Sequence, residues 1–418
     1  MALSAYSCWS SWQARRKARE RRVAAPDTAV LFAPFTLKGL TLRNRFVMPG
    51  MQRGFVEDGA PTRTMVEYYR RCARGGVGLL ISESTSPDHP SAYWQPMMGR
   101  LEPATLGAWQ RVVDAVKGEG AAFFVQLWHP GAMRKVAAGH PLAALPALSP
   151  SGLIQAGRVN GRAFSREELQ VLKGAYVRAA EDAQRLGADG VEVHAAHGYL
   201  LDQFLWSETN RRDDEYGGAT LAERARYPAE IVAAIRHAVG EHCVISLRFS
   251  QFKEVDYAAT IAADPEDLRG MLALLRRAGV DLFNVSARRF YKHEWVECGP
   301  PARTIAAWTK SMTDAAVMTC GSVGLNVEMF ANLFDDQEPS ELCIERDLGL
   351  LAAGVRAGSF DLVGVGRTHI ANNDFVAKVR QGRLHELVLF NKHVHLAAAM
   401  AAGEPGFVEE SRKRTAED

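Results

Sequence analysis

Short apolar runs alternate with longer amphipathic stretches between about residue 31 and residue 380. The short runs are apolar on both faces and contain many β-branched residues, which is typical of strands in a buried parallel sheet. We predict eight such strands, at residues 45–48, 78–82, 122–127, 190–194, 243–248, 282–285, 316–320 and 362–365.

The stretches between these strands have the spacing of amphipathic helices, and several carry helix start and stop signals. Ser165 and Glu168 form a capping-box pattern, and Asp264 precedes Pro265 at a second helix start. Gly279 stands where that second helix is expected to end. We predict helices at residues 64–74, 105–118, 165–186, 221–239, 265–277, 304–313, 345–357 and 373–380.

Eight strands that alternate with eight helices favour an α/β fold of the (β/α)8 TIM-barrel type over a doubly wound open sheet. Two connections, residues 131–164 and 286–301, are too long for simple strand-to-helix loops. Both follow predicted strand ends. We therefore expect them to be loop insertions on the mouth side of the barrel, where the active sites of this fold lie.

The overall composition excludes some classes of partner. The chain has 418 residues, 47% of them hydrophobic, and a formal net charge of +2. This balance argues against a nucleic acid or an anionic membrane as partner, and no apolar run is long enough to span a bilayer. No pair of the six cysteines has CxxC spacing. Cys243 and Cys320 lie in apolar runs, so we expect buried free thiols in a reducing compartment.

The two ends of the chain differ from the predicted barrel, which occupies residues 30–395. Residues 1–29 are rich in Arg and Ser, and we expect a disordered or targeting extension there. Residues 396–418 are predicted to form a flexible tail. A cytoplasmic location is expected, with organelle import left open by the Arg- and Ser-rich start. Monomer and homodimer are both open.

Two histidines and a tyrosine follow the fourth predicted strand in close succession. His194, His197 and Tyr199 can supply two hydrogen-bond donors and a proton at one strand end, which suits catalysis. Metal binding and simple packing are the alternatives. Because no cysteine or third histidine lies near the pair, we predict no metal.

The ends of the seventh and eighth predicted strands are rich in glycine. Their residues are Gly321, Ser322, Gly366 and Arg367. Backbone amides beside glycines and a guanidinium group bind anions, so these two loops predict a phosphate site. Together with Gln126 and Arg248 at other strand ends, the pattern fits a phosphorylated cofactor with a polar ring edge, such as FMN.

Other strand ends supply further candidates. Those for contact with the cofactor are Pro49, Gly50, Met51, Gln52 and Ser84. Those for the substrate pocket are Trp128 and the aromatic residues of the loop after the sixth strand, Phe290, Tyr291 and Trp295. We expect this aromatic loop to cover the mouth, because long loops there commonly lie over the active site.

Six motifs make the chain similar to a known family, and the similarity extends from about residue 31 to residue 389. They lie at residues 31–34 with 40–45, 75–83, 126–129, 194–205, 210–218 and 360–367. On these motifs the chain resembles the Old Yellow Enzyme family of FMN-dependent NAD(P)H:flavin oxidoreductases, also called ene-reductases. The resemblance implies an FMN-binding TIM barrel, NAD(P)H as reductant and an activated alkene as substrate.

The resemblance also assigns roles to residues of this chain. It implies that His194 and His197 bind the carbonyl or nitro oxygen of the alkene and that Tyr199 protonates an alkene carbon. Flavin contacts are implied for Gln126, Arg248 and Ser84, and a phosphate contact for Arg367. One departure concerns a Thr or Cys that tunes the flavin potential through O4. Gln52 replaces it, and we expect this longer side chain to donate instead.

Three other functions stay open. One is the reduction of nitro compounds and nitrate esters within the same family. Another is a flavin-free, phosphate-binding lyase or isomerase on the same barrel, and the third is a binding protein without catalysis.

Overall fold

The computed structural model describes residues 27–95, 97–136, 138–298 and 301–398. The predicted extension, residues 1–29, therefore lies outside the described residues except for its last three. Of the predicted tail, residues 396–418, the part from residue 399 onward lies outside them.

Eight parallel strands close into a barrel, as the alternation of the sequence predicts. They are β1 Phe46–Met48, β2 Leu79–Ile81, β3 Ala122–Leu127, β4 Gly190–His197, β5 Val244–Lys253, β6 Leu282–Ser286, β7 Ala316–Cys320 and β8 Leu362–Gly364. Each strand pairs with the next, and β8 pairs with β1 through Gly364 and Val47, which closes the ring. The (β/α)8 TIM-barrel prediction is confirmed.

β4 and β5 run further toward the mouth than the sequence predicts. Their parallel pairing continues past Ala195 to a pair between His197 and Lys253, with a register irregularity on the way. The extension of β4 ends at His197 and that of β5 contains Phe252 and Lys253, and together they form one wall of the site described below.

Eight helices cover the outside of the barrel. They are α1 Arg63–Arg74, α2 Leu106–Lys117, α3 Arg166–Arg185, α4 Arg226–Val239, α5 Pro265–Ala278, α6 Ile305–Met312, α7 Ile344–Arg356 and α8 Phe375–Arg380. The helix predicted at residues 221–239 is two helices, Leu221–Arg224 and α4. Pro228 explains the break, because proline has no backbone N–H to donate and fits only in the first turn of a helix. The capping box of Ser165 and Glu168 is present.

A hairpin closes the amino-terminal end of the barrel. Its strands, Phe35–Leu37 and Leu40–Leu42, pair in antiparallel fashion. Phe35, Leu37 and Leu40 pack against an apolar cluster made by residues at the beginnings of the barrel strands, such as Val47 and Leu79. With that end plugged by apolar side chains, the carboxyl ends of the strands form the open mouth.

Short elements fill the terminal segments and the loops, most of them on the mouth side. They are the helices Ala29–Phe32, Leu200–Leu205, Met329–Phe334, Arg367–Ala371 and Lys392–His395, the 3-10 turns Pro90–Ala92, Gly131–Met133, Val296–Cys298 and Leu384–Glu386, and the strands Val56–Glu57, Ala60–Pro61, Thr85–Pro87, Gly99–Leu101, Leu148–Ser149, Leu153–Gln155, Arg158–Val159, Arg162–Ala163, His293–Glu294 and Arg303–Thr304. Within the described ranges, no helix is long and apolar enough to cross a membrane.

Candidate active site

The end of β4 brings both histidines to one side of the barrel mouth. His197 has a positive φ of 67°, and the β4–β5 register shifts between Ala195 and His197. This kink turns residues three apart toward each other, although alternation along a regular strand would send them to opposite faces. The ring centroids of His194 and His197 lie 5.3 Å apart, and that of Tyr199 lies 5.6 Å from His194.

Both imidazoles are neutral near pH 7. Burial lowers the pKa of His194 well below its usual range, and the positive charge of Arg248 lowers it further. The same two causes, with a contribution from His194, lower the pKa of His197. His197 Nε2 lies 2.9 Å from Ser286 Oγ. Each neutral ring carries one N–H, so the pair can donate hydrogen bonds without adding positive charge.

A mostly buried glutamate, absent from the sequence predictions, contacts the candidate proton donor. Tyr199 Oη donates to Glu254 Oε2 over 2.9 Å. Burial raises the pKa of Glu254 to about 7, although the hydrogen bond from Tyr199 and the charge of Arg248 oppose the shift. Glu254 lies 55 positions from Tyr199, and only the pairing of β4 with β5 brings them together.

One cavity joins most of the residues predicted to bind a phosphorylated cofactor. Among its lining residues are Pro49, Met51, Arg248, Gly321, Ser322, Gly366 and Arg367, with His197 and Ser286 at the side of the histidine pair. Most of these residues end or follow β1, β4, β6, β7 and β8, and Arg248 lies within β5. The barrel topology therefore brings them together, while their roles toward a cofactor are taken up below.

Arg367 and Ser322 hold the two glycine-rich loops together. Arg367 Nη2 donates to Ser322 Oγ over 3.1 Å and to Val327 O over 2.7 Å. Arg367 Nη1 lies 3.1 Å from Asn332 Oδ1. Burial lowers the pKa of Arg367 to about 10, so the group stays cationic at neutral pH. The segment from Val327 to Asn332 has no counterpart among the sequence predictions.

Arg248 has a donor that fits a further ligand. Its Nη1 donates to Gly50 O over 3.1 Å and its Nη2 to Ser286 Oγ over 3.3 Å. Its Nε is buried without a hydrogen-bond partner among the described residues. A buried N–H without an acceptor is costly, and Arg248 lines the cavity. This geometry fits an acceptor atom on a bound polar ring.

Glu192, a second acid absent from the predictions, orients Gln126 beneath the cavity. Gln126 Nε2 donates to Glu192 Oε1 over 2.8 Å, and Gln126 Oε1 accepts from Ser84 Oγ over 3.2 Å. Ser246 and Asn284 donate to the other carboxylate oxygen. Since Glu192 accepts from three strands, the Gln126 amide is held in one orientation. A Cβ on Gly50 would lie 2.7 Å from Gln126 Nε2, so glycine permits this close approach.

Gln52 departs from the sequence expectation. Its amide nitrogen donates to Glu83 Oε1 over 3.1 Å and to Met97 O over 3.0 Å. Both amide hydrogens are thus engaged, and in this conformation Gln52 has none left for a flavin. The expected donation from Gln52 to the flavin is wrong, because the carboxyl group of Glu83, which follows β2, accepts from the Gln52 amide instead.

The aromatic residues of the loop after β6 also lie elsewhere than expected. Phe290 and Tyr291 line a different cavity, between α6 and α7 on the outside of the barrel. Trp295 packs edge-on against Trp308 of α6 and donates to Ala263 O. None of the three lines the cavity that contains His197 and Arg248, which corrects their assignment to the substrate pocket. The loop turns outward because α6 offers it an apolar surface.

Other aromatic side chains surround the histidines and Tyr199. The ring centroid of Trp128 lies 5.1 Å from that of Tyr199, and Trp128 stacks on Trp94 at 5.6 Å. Phe252 stacks on His197 at 5.3 Å and contacts Tyr257 at 4.9 Å. Both come from β5 and its loop, a position to which the sequence analysis assigned no aromatic role.

In the described part of the chain, no group of three or more His, Cys, Asp or Glu side chains could hold a metal ion. The site instead combines a guanidinium and glycine loops at one end, an arginine donor and an oriented amide in the middle, and two imidazoles with a phenol above. This arrangement fits the anionic tail, polar ring and reacting face of FMN.

Known proteins similar to this chain point the same way. The NADH:flavin oxidoreductase / NADH oxidase family matches residues 30–325. An NADH oxidase of Thermoanaerobacter brockii is 31% identical over 367 residues, 85% of this chain and 52% of that one, so this chain spans about half of its length. The 12-oxophytodienoate reductase 7 of Oryza sativa subsp. japonica is 32% identical over 380 residues, 87% of this chain and 89% of that protein.

A solved structure resembles the whole barrel. The structure of morphinone reductase in complex with tetrahydroNAD superposes with a TM-score of 0.68 at 27% identity, and the match covers 86% of this chain and 91% of the other.

Proposed function

Because the chain belongs to the NADH:flavin oxidoreductase / NADH oxidase family, the family of Old Yellow Enzyme, we propose that this FMN-dependent oxidoreductase reduces the C=C bond of electron-poor alkenes such as enones and nitroalkenes. NAD(P)H is the proposed reductant, in a ping-pong cycle of two half-reactions. The proposed FMN-binding unit comprises residues 30–395. The single observation that carries the proposal is the meeting of two neutral imidazoles and a phenol at the end of β4.

The residues that line the cavity hold the cofactor in this proposal. Arg367 and Ser322 bind the phosphate with the backbone of the loops at Gly321 and Gly366, because both loops converge on one side of the cavity. Arg248 neutralises the polar edge of the flavin through the Nε that lacks a partner among the described residues. When bound, FMN would supply the chemistry of hydride transfer between NAD(P)H and the alkene.

Contacts with the body of the ring are assigned to the other strand ends. Gln126 faces its pyrimidine edge in the orientation that Glu192 fixes. The remaining proposed neighbours of the ring are Pro49, Gly50, Met51 and Ser84.

The histidine pair binds the substrate's acceptor oxygen in this proposal. His194 and His197 each have one N–H in the neutral form, and both rings are buried, where hydrogen bonds to developing negative charge are strongest. Hydrogen bonds to a carbonyl or nitro oxygen between them draw electron density toward that oxygen and away from the β-carbon, which lowers the barrier to hydride addition there. Trp128, which packs against Tyr199, forms a wall of this pocket.

Tyr199 supplies the proton at the other alkene carbon. Its ring lies beside both His194 and Trp128, so a substrate held by the histidines is within its reach. The proton donor acts only in the second half-reaction, because the reduction of the flavin by NAD(P)H consumes no proton from Tyr199. The relative named 12-oxophytodienoate reductase 7 supports an enone as the substrate class.

Rapid mixing that separates the half-reactions tests the proposal. Anaerobic protein loaded with FMN is reduced with NADH or NADPH and then mixed with 2-cyclohexenone, a nitroalkene or a nitrate ester. We expect reoxidation by the enone. In Tyr199→Phe we expect near-normal flavin reduction and reoxidation that is slower by about 10²- to 10⁴-fold.

Each failure has a distinct meaning. Wild-type protein that is reoxidised by the nitrate ester but not by either alkene would assign it to the reduction of nitro compounds. Equal slowing of both half-reactions in Tyr199→Phe would make Tyr199 a structural residue.

A further inference from the structure

Glu254 follows β5 directly and faces the turn after β4. Its backbone N–H donates to His197 O over 3.0 Å. Its Oε2 accepts from Tyr199 Oη over 2.9 Å, and its Oε1 lies 4.0 Å from His197 Nδ1. The carboxyl group of Glu254 is thus in contact with the phenol and adjacent to an imidazole of the candidate active site.

A buried ion pair fixes the distance between Glu254 and Tyr199. Lys253 Nζ donates to Asp202 Oδ1 over 2.9 Å, and both side chains are fully buried. Asp202 Oδ2 also accepts from the N–H of Gly198 over 2.6 Å. The residue before Glu254 is therefore tied to the turn that contains Tyr199, so the contact between the two is built into the fold.

Charged and titratable groups reach Glu254 from both strands. From β4 and its turn come His197, which is neutral, and the phenol of Tyr199. From β5 comes Arg248, whose charge favours the carboxylate. The ammonium of Lys253 on the same segment is paired with Asp202. Burial outweighs the favourable charge and places the pKa of Glu254 at about 7, so the group gains and loses a proton near neutral pH.

We propose that Glu254 is a positioning residue that resupplies the proton of Tyr199 during alkene reduction. This inference rests on the proposed function. The O–H bond of Tyr199 breaks, its hydrogen forms a C–H bond at the alkene carbon, and the electron pair stays on the phenol oxygen. The carboxyl O–H of Glu254 breaks in turn and restores the phenol. The resulting carboxylate takes a proton from water, and the two electrons of the reduction arrive with the hydride.

The protonation state of Glu254 decides which way the phenol hydrogen points. A carboxylate accepts that hydrogen, as in the observed contact, and holds it away from the substrate. A carboxylic acid donates to the phenol oxygen instead and leaves the phenol hydrogen free for the alkene. Reoxidation by an enone should therefore fall by about tenfold between pH 6 and pH 8 if the group titrates near 7, whereas flavin reduction should show no such fall.

Two variants and a control test this relay in the protein loaded with FMN. In Glu254→Gln the amide N–H₂ still donates to the phenol oxygen but does not titrate, so reoxidation should lose its fall between pH 6 and pH 8. Glu254→Ala has no donor and should be slower at both pH values. Asp256→Asn is the control, since its side-chain oxygen can still accept from the N–H of Ala258. We expect it to keep the wild-type profile.

A spectroscopic readout stands apart from turnover. The infrared absorption of protonated carboxyl groups should lose intensity between pH 6 and pH 8 in the wild type, and the part of this loss that belongs to Glu254 should be missing in Glu254→Gln. A wild-type reoxidation rate that does not change over this range overturns the relay even if neither variant folds. The relay is also overturned if the reoxidation rate of Glu254→Gln falls between pH 6 and pH 8 as steeply as that of the wild type. That result leaves the proposed function intact. Failure of the wild type to react with any alkene overturns both.

Discussion

Removal of the ammonium group of Lys253 should destabilise the protein in a pH-dependent way. Lys253 and Asp202 are fully buried and paired at 2.9 Å. Lys253→Met keeps most of the apolar stem and leaves the Asp202 carboxylate with the N–H of Gly198 as a remaining donor. Breaking a buried pair by removing one partner typically costs about 3–5 kcal/mol, because the other charge stays buried without compensation.

An independent limit comes from protonation. Asp202 can escape the cost of an unpaired buried charge by taking up a proton. Burial raises the pKa of Asp202 in the folded wild type to about 6, so protonation of this group in the folded protein at pH 7 costs about 1.4 kcal/mol, which is one pH unit. Proton uptake therefore keeps the deficit below the full cost of breaking a buried pair. The free energy of unfolding should fall by about 1–4 kcal/mol at pH 7 and by more at pH 8.

The pH dependence identifies the mechanism. Burial raises the pKa of Asp202 in the wild type to about 6 even with Lys253 present. The loss of Lys253 raises it further. Above pH 6 the folded variant thus retains a proton that both the folded wild type and the unfolded chain have lost. Stability falls with rising pH where the folded state binds more protons, so the deficit should grow by about 1.4 kcal/mol per pH unit.

Urea denaturation at pH 6 and pH 8, followed by far-ultraviolet circular dichroism, measures this deficit. The matched control is Lys253→Met combined with Asp202→Asn, in which the amide oxygen still accepts from Gly198 and no charge is buried. We expect the double variant to recover part of the stability and to lose the extra pH dependence. A deficit of Lys253→Met that is below about 1 kcal/mol and equal at both pH values would refute the reasoning.

Three further predictions concern the candidate site. Arg367→Ala should lose FMN on dialysis, since a charge-assisted phosphate contact contributes about 1.5–3 kcal/mol. Asn332→Ala removes the acceptor beside Arg367 and a donor to Gln337 O but keeps the guanidinium, so it should retain FMN, and equal retention by both variants would contradict the phosphate role. His194→Ala and His197→Ala should each weaken the binding of phenols that mimic an enolate. Titration of the FMN-loaded protein, followed by the long-wavelength absorbance that bound phenols induce, measures this binding. Unchanged titration curves in both variants would exclude the histidine pair as the site that binds the substrate oxygen. Phe252→Leu should change the order in which alkenes rank by reoxidation rate, because Phe252 stacks on His197. Trp295→Ala should leave that order unchanged, because Trp295 packs on α6. The opposite result would assign the loop after β6 to the substrate pocket again.

The barrel and the collection of residues at its mouth could be predicted because both depend on local patterns. Parallel buried strands are recognisable one at a time, and in a closed barrel every carboxyl end lies at the same mouth. Arg248 and Arg367 could thus be placed in one cavity although they lie far apart in the chain. The extent of β4 could not be predicted, since it depends on the kink at His197.

The paths of the long loops were harder to predict than their side of the barrel. Aromatic residues after β6 suggest a cover over the mouth, but the surface that α6 presents is a result of the completed fold. Trp295 packs on that surface. In its place, Phe252 and Tyr257 reach the cavity from β5. The length of a loop therefore does not determine which surface it covers, because the neighbouring helix decides where its aromatic side chains pack.

Buried acids were missed for a related reason. Glu83, Glu192 and Glu254 each act through a partner on another strand or loop, and a single Glu in or after a strand carries no local signature of that partner. Once the order of the strands in the barrel is known, it shows which residues lie beside each of these acids. Gln52 illustrates the error that a missed acid causes. The sequence around the first strand alone suggests that Gln52 faces the flavin, but in the structure its amide donates to Glu83.

These acids also limit what a pH profile can reveal. Burial raises the pKa of Glu83 to about 8, that of Glu254 to about 7 and that of Asp202 to about 6. All three acids lie near the mouth, but they have different partners. Glu83 orients Gln52, and Glu254 contacts Tyr199. Asp202 holds the turn after β4. A steady-state profile would merge their titrations into one curve. Only separate half-reactions, with Glu254→Gln for the relay and Lys253→Met for the turn, can assign each proton to its residue.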